Sequence, residues 1–108
     1  MAGHLLIRPQ AAWDLDDHAM YLGINASPTI ANRFQRMVEK TFAQILDAPE
    51  LGSPWESSQE ALQGVRFRLV HRFKNHVVFY RVIKENVEIV RVMHGSQDLK
   101  RHLEETDE

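Results

Sequence analysis

Hydrophobic and polar residues follow one another along this chain with two different periods. Between residues 9 and 47, apolar side chains recur every three or four positions, which places them on one face of an α-helix. After Gly64 the period falls to two, as in a β-strand with one exposed face. The pattern predicts helices in the first half of the chain and strands in the second half.

The helical half divides into two segments, and each opens with a proline. Proline suits the first turn of a helix, and Ser27 before Pro28 supplies a hydroxyl that can cap free N–H groups. The first helix is predicted from Pro9 to near Gly23, and the second from Pro28 to the residues before Pro49. The predicted buried positions are Ala11, Leu15, His18, Ala19 and Leu22 in the first helix and Ala31, Phe34, Val38, Thr41, Phe42 and Ile45 in the second.

The strand half follows a segment, 51–63, that is rich in Gly, Pro and Ser, shows no period and predicts a surface loop. Apolar runs at 65–69, 76–83 and 87–93 are separated by short polar turns, which predicts an antiparallel meander. The middle run is apolar on both faces, so both sides of the sheet should be covered, and a helix or strand from a partner protein could cover one of them. A short helix is predicted at about 96–104.

A short apolar run at His4–Arg8 predicts one further strand before the first helix. The element order is therefore β-α-α-β-β-β with a short C-terminal helix. This order predicts an α+β fold in which a helical hairpin packs on a small antiparallel sheet. The length of 108 residues suits one domain over residues 1–108. The pattern leaves open where the N-terminal strand joins the sheet.

The composition excludes several classes of function. The chain has no cysteine, so we predict neither disulfides nor a thiolate nucleophile nor a zinc ribbon. Its six histidines lack helical His-x-x-x-His spacing, so we expect no metal and no cofactor. The N-terminal apolar run is too short for a leader or a membrane span, and we expect a cytoplasmic protein that does not contact membranes.

Charge is distributed unevenly along the chain. The net charge of −2 argues against a protein whose main task is to grip a nucleic-acid backbone. Between residues 66 and 91, however, seven basic side chains stand against two acidic ones. This excess predicts a cationic face that meets an acidic partner. On the first helix, Asp14, Asp16 and Asp17 are expected mostly to face water.

Five segments carry a resemblance to a known family. They are Ala12-x-Asp14-Leu15-x-x-His18-x-x-Tyr21, Leu46-x-x-Pro49-x-Leu51-Gly52, Gly64-Val65-Arg66, Val78-Phe79-Tyr80-Arg81-Val82 and Ile89-Val90-Arg91-Val92-Met93-His94-Gly95-x-x-Asp98. In this order and spacing, from about Leu5 to Leu103, the chain resembles the ParE/RelE toxin superfamily. The last segment is most similar to the ParE subgroup.

The resemblance implies the toxin component of a type II toxin–antitoxin system with a RelE/ParE-like fold. It implies a cognate, ParD-like antitoxin with a ribbon-helix-helix DNA-binding half, through which alone the toxin meets DNA. The ParE branch implies inhibition of DNA gyrase by protein binding. Two alternatives stay open: a RelE-like, ribosome-dependent mRNA endonuclease that needs no metal, and an inactive member that acts only in complex with its antitoxin.

Candidate site residues follow from charge, chemistry and position. The expected partner-binding residues are Arg66, Arg68, Arg81, Arg91, Trp13 and Trp55. The four arginines lie on adjacent strands, where clustering of one sign costs repulsion unless a partner neutralises it. Tryptophan is enriched at interface anchor points, with core packing as the alternative.

His94 and Asp98 are candidate contacts to the target, or else structural residues that hydrogen-bond to each other. The alternative nuclease would use Arg68, Arg81 and His94 for acid–base chemistry and charge neutralisation. Two departures from the family pattern bear on these roles. His18 replaces an aliphatic residue and is expected in the core or an interface, and Ser96-Gln97 replaces a stretch where relatives often carry arginine.

Overall fold

The computed structural model describes residues 3–106. Strands and helices follow the predicted α+β order, with one additional short strand in the predicted loop. The elements are β1 (Leu5–Ile7), α1 (Pro9–Asn25), α2 (Pro28–Asp47), β2 (Ser53–Pro54), β3 (Arg66–Val70), β4 (Phe73–Ile83), β5 (Asn86–His94) and α3 (Leu99–Thr106). No helix within residues 3–106 combines the length and the apolar character that a bilayer crossing requires.

The sheet has five strands in the order β1-β5-β4-β3-β2. The meander β3-β4-β5 is antiparallel throughout, as the short turns predict. β1 lies parallel to β5, with Leu5 opposite Val87 and Ile7 opposite Ile89, so the sheet is mixed. This pairing places the N-terminal strand at one edge of the sheet. The chain then passes through the helical hairpin to the opposite edge, where β2 and β3 lie.

The predicted loop 51–63 is structured, and the prediction of an unpaired surface loop was wrong here. Ser53–Pro54 form β2 and pair with β3, and 3₁₀ turns lie on either side. The buried Tyr80 hydroxyl holds the segment to the sheet, since it donates to the Pro49 carbonyl at 2.6 Å and accepts from the Gly52 N–H at 2.9 Å. Burial raises the pKa of Tyr80. A Cβ at Gly52 would overlap this hydroxyl, which explains the glycine.

The first core lies between the helical hairpin and the sheet. All the positions predicted to be buried on α2 are buried except Ala31, which is half-buried, and Ser27 caps the helix by accepting from the Ile30 N–H at 3.1 Å. The expected cap and, apart from Ala31, the expected buried face are confirmed. Phe34 and Ile45 pack on Val78 and Tyr80 of the central strand. The helical period therefore suffices to place α2 on the sheet.

A second core covers the opposite face of the sheet. Val77, Phe79 and Met93 are buried there beneath Leu62 and Leu103, which come from the segment before β3 and from α3. The expectation that both faces are covered is therefore correct. The suggestion that a partner covers this face is wrong, because the chain itself does so.

Leu103 tests the second core. Leu103→Ala should lower the free energy of unfolding by about 2 to 5 kcal/mol, because it leaves a cavity under α3. Urea denaturation measures the loss, and Lys100→Ala on the exposed side of α3 serves as the control. Equal stability of the two variants would show that α3 does not seal this core.

Candidate functional site

The most buried ion pair of the described residues joins α1 to β5. Asp14 and Arg91 are only 8% and 9% exposed. The guanidinium binds the carboxylate with two parallel contacts, Nε to Oδ2 at 2.7 Å and Nη2 to Oδ1 at 2.9 Å. The expectation that Asp14 faces water was wrong, and Arg91, an expected partner-binding residue, is neutralised within the chain.

The same helix satisfies the backbone at the open edge of β5. β1 pairs with β5 only as far as Ile89, so Val92, which pairs with Val78 of β4 on one side, has no strand on its other side. The Asp14 carboxylate accepts from the Val92 N–H at 3.0 Å, and His18 Nε2–H donates to the Val92 carbonyl at 3.0 Å. Asp14 and His18 lie one turn apart on α1, which puts both on the face that meets this edge. His18 is thus an interface residue between α1 and the sheet.

Three histidine rings stack edge to face beside this contact. The His76 centroid lies 4.9 Å from that of His18 and 5.0 Å from that of His94. His76 is 7% exposed, and its Nδ1 has no hydrogen-bond partner among the described residues. Burial, followed by the charges of His18 and His94, lowers the pKa of His76 to about 4. His76 is therefore neutral at physiological pH.

The stacked rings line a cleft of about 480 Å³ between α1 and the end of β5, together with Asp17 and Tyr21. No set of three histidine, aspartate or glutamate side chains within residues 3–106 is arranged to hold a metal ion. The lining of the cleft contains the exposed carboxylate of Asp17 and no lysine or arginine, so it offers a phosphate no guanidinium or ammonium group.

The turn after β5 orders His94 and Asp98 separately. His94 Nδ1 accepts from the Ser96 hydroxyl at 2.7 Å and from the Ser96 N–H at 3.0 Å, which leaves its proton on Nε2. Asp98 accepts from the Arg101 N–H at 3.3 Å and so caps α3. The suggested hydrogen bond between His94 and Asp98 was wrong, because His94 binds Ser96 whereas Asp98 binds the Arg101 N–H.

Two further arginines are bound within the chain. Arg81 donates to Glu88 at 2.9 Å and to the Ala61 carbonyl at 2.9 Å. Arg66 donates to the Gly52 carbonyl at 2.7 Å. Both hold the segment between α2 and β3 against the sheet. The repulsion expected among the strand arginines is thus relieved internally for Arg81, as it is for Arg91.

Arg68 differs from Arg66, Arg81 and Arg91 because, among the described residues, its side chain makes neither a hydrogen bond nor an ion pair. Among the described residues no carboxylate lies within ion-pair distance of Arg68, Lys40 or Arg72. Burial and then the charges of Lys40, Arg72 and Arg68 lower the pKa of His71. We call Lys40, Arg68, His71 and Arg72 the cationic cluster. Sequence reasoning missed Lys40, because only the packing of α2 on the β3–β4 turn brings it here.

The two tryptophans lie in different environments. Trp55 is half-buried, and its ring packs edge-on against Phe79 at 5.2 Å and Phe67 at 5.9 Å in the second core. Trp13 is 62% exposed on α1, where Met20 and Ile24 are exposed too. Trp13 is therefore available to a partner, whereas Trp55 packs within the fold.

The alternative nuclease residues do not converge. His94 lies opposite His76, and Arg81 lies five residues further along β4, about 17 Å away. Arg68 lies on β3, on the other side of β4 from His94. These three side chains occupy separate parts of the sheet.

Substitution of Asp14 tests whether its bonds to Arg91 and to the Val92 N–H stabilise the fold. Asp14→Ala should lower the free energy of unfolding by about 3 to 5 kcal/mol, because it leaves the Arg91 charge buried without its partner. Denaturation in urea measures the change. Asp17→Ala, which removes an exposed carboxylate from the same helix, should change stability by no more than about 0.5 kcal/mol. Similar losses in both variants would contradict a special role for Asp14.

His76 makes stability depend on pH. Its pKa is about 4 in the folded chain, against 6.5 for an ordinary histidine. The unfolded chain therefore binds the extra proton between these values, and stability that is complete above pH 6.5 is lost as the pH falls toward 4, by at most about 3 kcal/mol.

Unfolding free energies of the wild type and His76→Phe across this range isolate the contribution of His76. The free energy of unfolding of the wild type, relative to that of His76→Phe, should fall as the pH falls from 6.5 toward 4. Phe73→Leu, which removes a neighbouring ring but no titratable group, should shift the curve by the same amount at every pH. Parallel curves for the wild type and His76→Phe would contradict the assignment.

Comparison with known proteins bears on the family. A family model described as the ParE toxin of the type II toxin–antitoxin system parDE matches residues 5–99. The fold is similar to that of a solved chain from the chromosomal ParDE toxin–antitoxin system of P. aeruginosa, with a TM-score of 0.69 and 20% identity, over 84% of this chain and 94% of that one. None of the curated proteins compared matches the chain. Because this family model matches residues 5–99 of the 108, the chain belongs to the ParE toxin family of type II toxin–antitoxin systems.

Proposed function

We propose that this chain acts in the cytoplasm as a toxin that inhibits DNA gyrase by binding it, and that a cognate antitoxin with a ribbon-helix-helix DNA-binding half neutralises it. The observation that carries the proposal is the family match over residues 5–99. Contact with DNA would then be indirect, through the antitoxin. The net charge of −2 agrees with a protein partner better than with direct binding of DNA.

The arrangement of charged side chains supports a binding role over a catalytic one. A metal-free ribonuclease needs an acid–base pair and a cation at one phosphate. Arg81 is occupied by Glu88 and the Ala61 carbonyl, and it lies far along β4 from the level of His94. The histidine cleft beside His94 is lined by Asp17 and contains no unpaired arginine or lysine.

The exposed surface of α1 supports binding to another protein. Trp13, Met20, Tyr21 and Ile24 are all largely exposed on this one helix. Soluble chains seldom expose several large apolar side chains together unless the surface is an interface. Aromatic side chains of this kind often anchor protein partners.

The test is induction of the chain without its antitoxin, together with a supercoiling assay on purified gyrase. We expect growth arrest with a DNA-damage response, and loss of supercoiling activity with the purified chain. Leu103→Ala, which weakens the fold, is the control that shows whether toxicity requires the folded chain. Growth arrest with intact DNA and unaffected gyrase would overturn the proposed target.

Transcript mapping after the same induction tests the alternative. Codon-positioned cuts in mRNA that disappear in His94→Ala would favour the endonuclease over the gyrase inhibitor. Absence of toxicity in the wild-type chain would favour the inactive member.

A further inference from the structure

One side of α1 carries large apolar side chains in full contact with solvent. Trp13, Asp17, Met20, Tyr21 and Ile24 follow one another at three- or four-residue spacing, so they lie side by side on the helix. The four apolar members are between 62% and 76% exposed, and Asp17 is exposed too. We call these five residues the outer face of α1.

The outer face is continuous with the histidine cleft between α1 and the end of β5. Asp17 and Tyr21 belong to both, because they also line this cleft of about 480 Å³. From Trp13 to Ile24 the outer face extends about 16 Å, since a helix rises about 1.5 Å per residue. A partner helix of about three turns can therefore lie along α1 with one side chain in the cleft.

The cleft has one charged group that the chain leaves without a partner. Asp14 is neutralised by Arg91, and the Gln97 side chain accepts from the His94 N–H at 2.7 Å. The Asp17 carboxylate, by contrast, makes neither a hydrogen bond nor an ion pair among the described residues. No lysine or arginine is among the residues that line the cleft.

This carboxylate restricts what can cover the outer face. Asp17 lies one turn from Trp13 and one turn from Tyr21, so a partner that covers both rings also removes Asp17 from water. A covered carboxylate costs stability unless a cation pairs with it. The neighbouring Tyr21 ring favours arginine over lysine, because a planar guanidinium can bind a carboxylate and stack on an aromatic ring at once.

The charge of the outer face disfavours two other occupants. A second copy of this chain, paired about a two-fold axis at the central Asp17, would bring two carboxylates together. Helices that lie on a bilayer carry lysine or arginine on their polar side, whereas α1 contains neither. A protein partner that supplies a cation fits both the apolar side chains and the carboxylate.

We propose that the outer face and the histidine cleft bind an amphipathic helix of a partner protein, whose apolar side chains cover Trp13 and Ile24 and whose arginine enters the cleft to pair with Asp17. The inference deepens the proposed function, on which it rests in assigning this helix to gyrase. The pairing itself depends only on the residues of α1 and of the cleft.

The test uses fluorescein-labelled, alanine-based helical peptides with leucine along one side and arginine, citrulline or glutamate at the centre. Citrulline keeps the shape of arginine but has no charge. Fluorescence anisotropy with the purified full chain measures binding. The arginine peptide should bind about tenfold more tightly than the citrulline peptide, and the glutamate peptide should bind least.

Substitutions on α1 locate the pairing. Asp17→Asn should lower the affinity for the arginine peptide about tenfold and leave that for the citrulline peptide unchanged. Asp16→Asn, which removes the same charge from the neighbouring position outside the outer face, is the matched control and should change neither affinity. Trp13→Ala should weaken the binding of all three peptides. Urea denaturation should show that these exposed positions leave the stability of the fold unchanged.

Amide NMR shifts provide a second readout, which should be largest at Asp17, Tyr21 and Gln97 when the arginine peptide is bound. Equal affinities for the arginine and citrulline peptides, or equal effects of Asp16→Asn and Asp17→Asn, would overturn the proposal. Dimerisation that Trp13→Ala abolishes, or binding to phosphatidylglycerol vesicles without binding to the arginine peptide, would assign the outer face to another occupant and would overturn it too.

A supercoiling assay with purified gyrase separates this inference from the proposed function. If both are correct, Asp17→Asn should inhibit gyrase less than Asp16→Asn does. Equal inhibition by these two variants would contradict the inferred contact and leave gyrase as the target. A chain that binds the arginine peptide but spares gyrase would contradict only the proposed target.

Discussion

The Asp14 carboxylate is the contact on which the arrangement of the two layers depends. Its two oxygens accept from the Arg91 guanidinium and from the Val92 backbone N–H, and the Asp14 and Arg91 side chains are each 10% exposed. Without this carboxylate, the Arg91 guanidinium and the Val92 N–H would be buried under α1 with no acceptor. A buried charge and a buried N–H each cost stability when they are left unsatisfied. Beyond Ile89, Asp14 of α1 therefore takes the β5 backbone hydrogen bond that a neighbouring strand would otherwise take.

The remaining arginines show how a chain of this size positions an irregular segment. Arg66 and Arg81 donate to backbone carbonyls on either side of β2, and Tyr80 donates to a third carbonyl from the sheet interior. These bonds hold the segment so that Leu62 and Trp55 close the second core. The side chains of the cationic cluster, in contrast, have no carboxylate at ion-pair distance among the described residues.

The sequence predicted the elements whose causes are local. The period of α2, the cap at Ser27 and the short turns of the meander each depend on neighbouring residues, and each is found in the structure. Asp14 was misplaced because its partner is 77 positions away, and no local pattern reports a pair of that kind. β2 was missed because two residues held by the Gly52 and Tyr80 contact show no period. The cationic cluster combines residues from α2 and β3, so only Arg68 was found in advance.

A double-mutant cycle of Asp14→Leu and Arg91→Met measures the central contact most directly, because it separates the pair from the cost of an orphaned charge. Stabilities from urea denaturation should show that each single variant loses several kcal/mol and that the double variant recovers a large part of that loss, a coupling of about 2 kcal/mol or more. Additive losses, with a coupling below about 0.5 kcal/mol, would contradict the account, since the two side chains would then act independently.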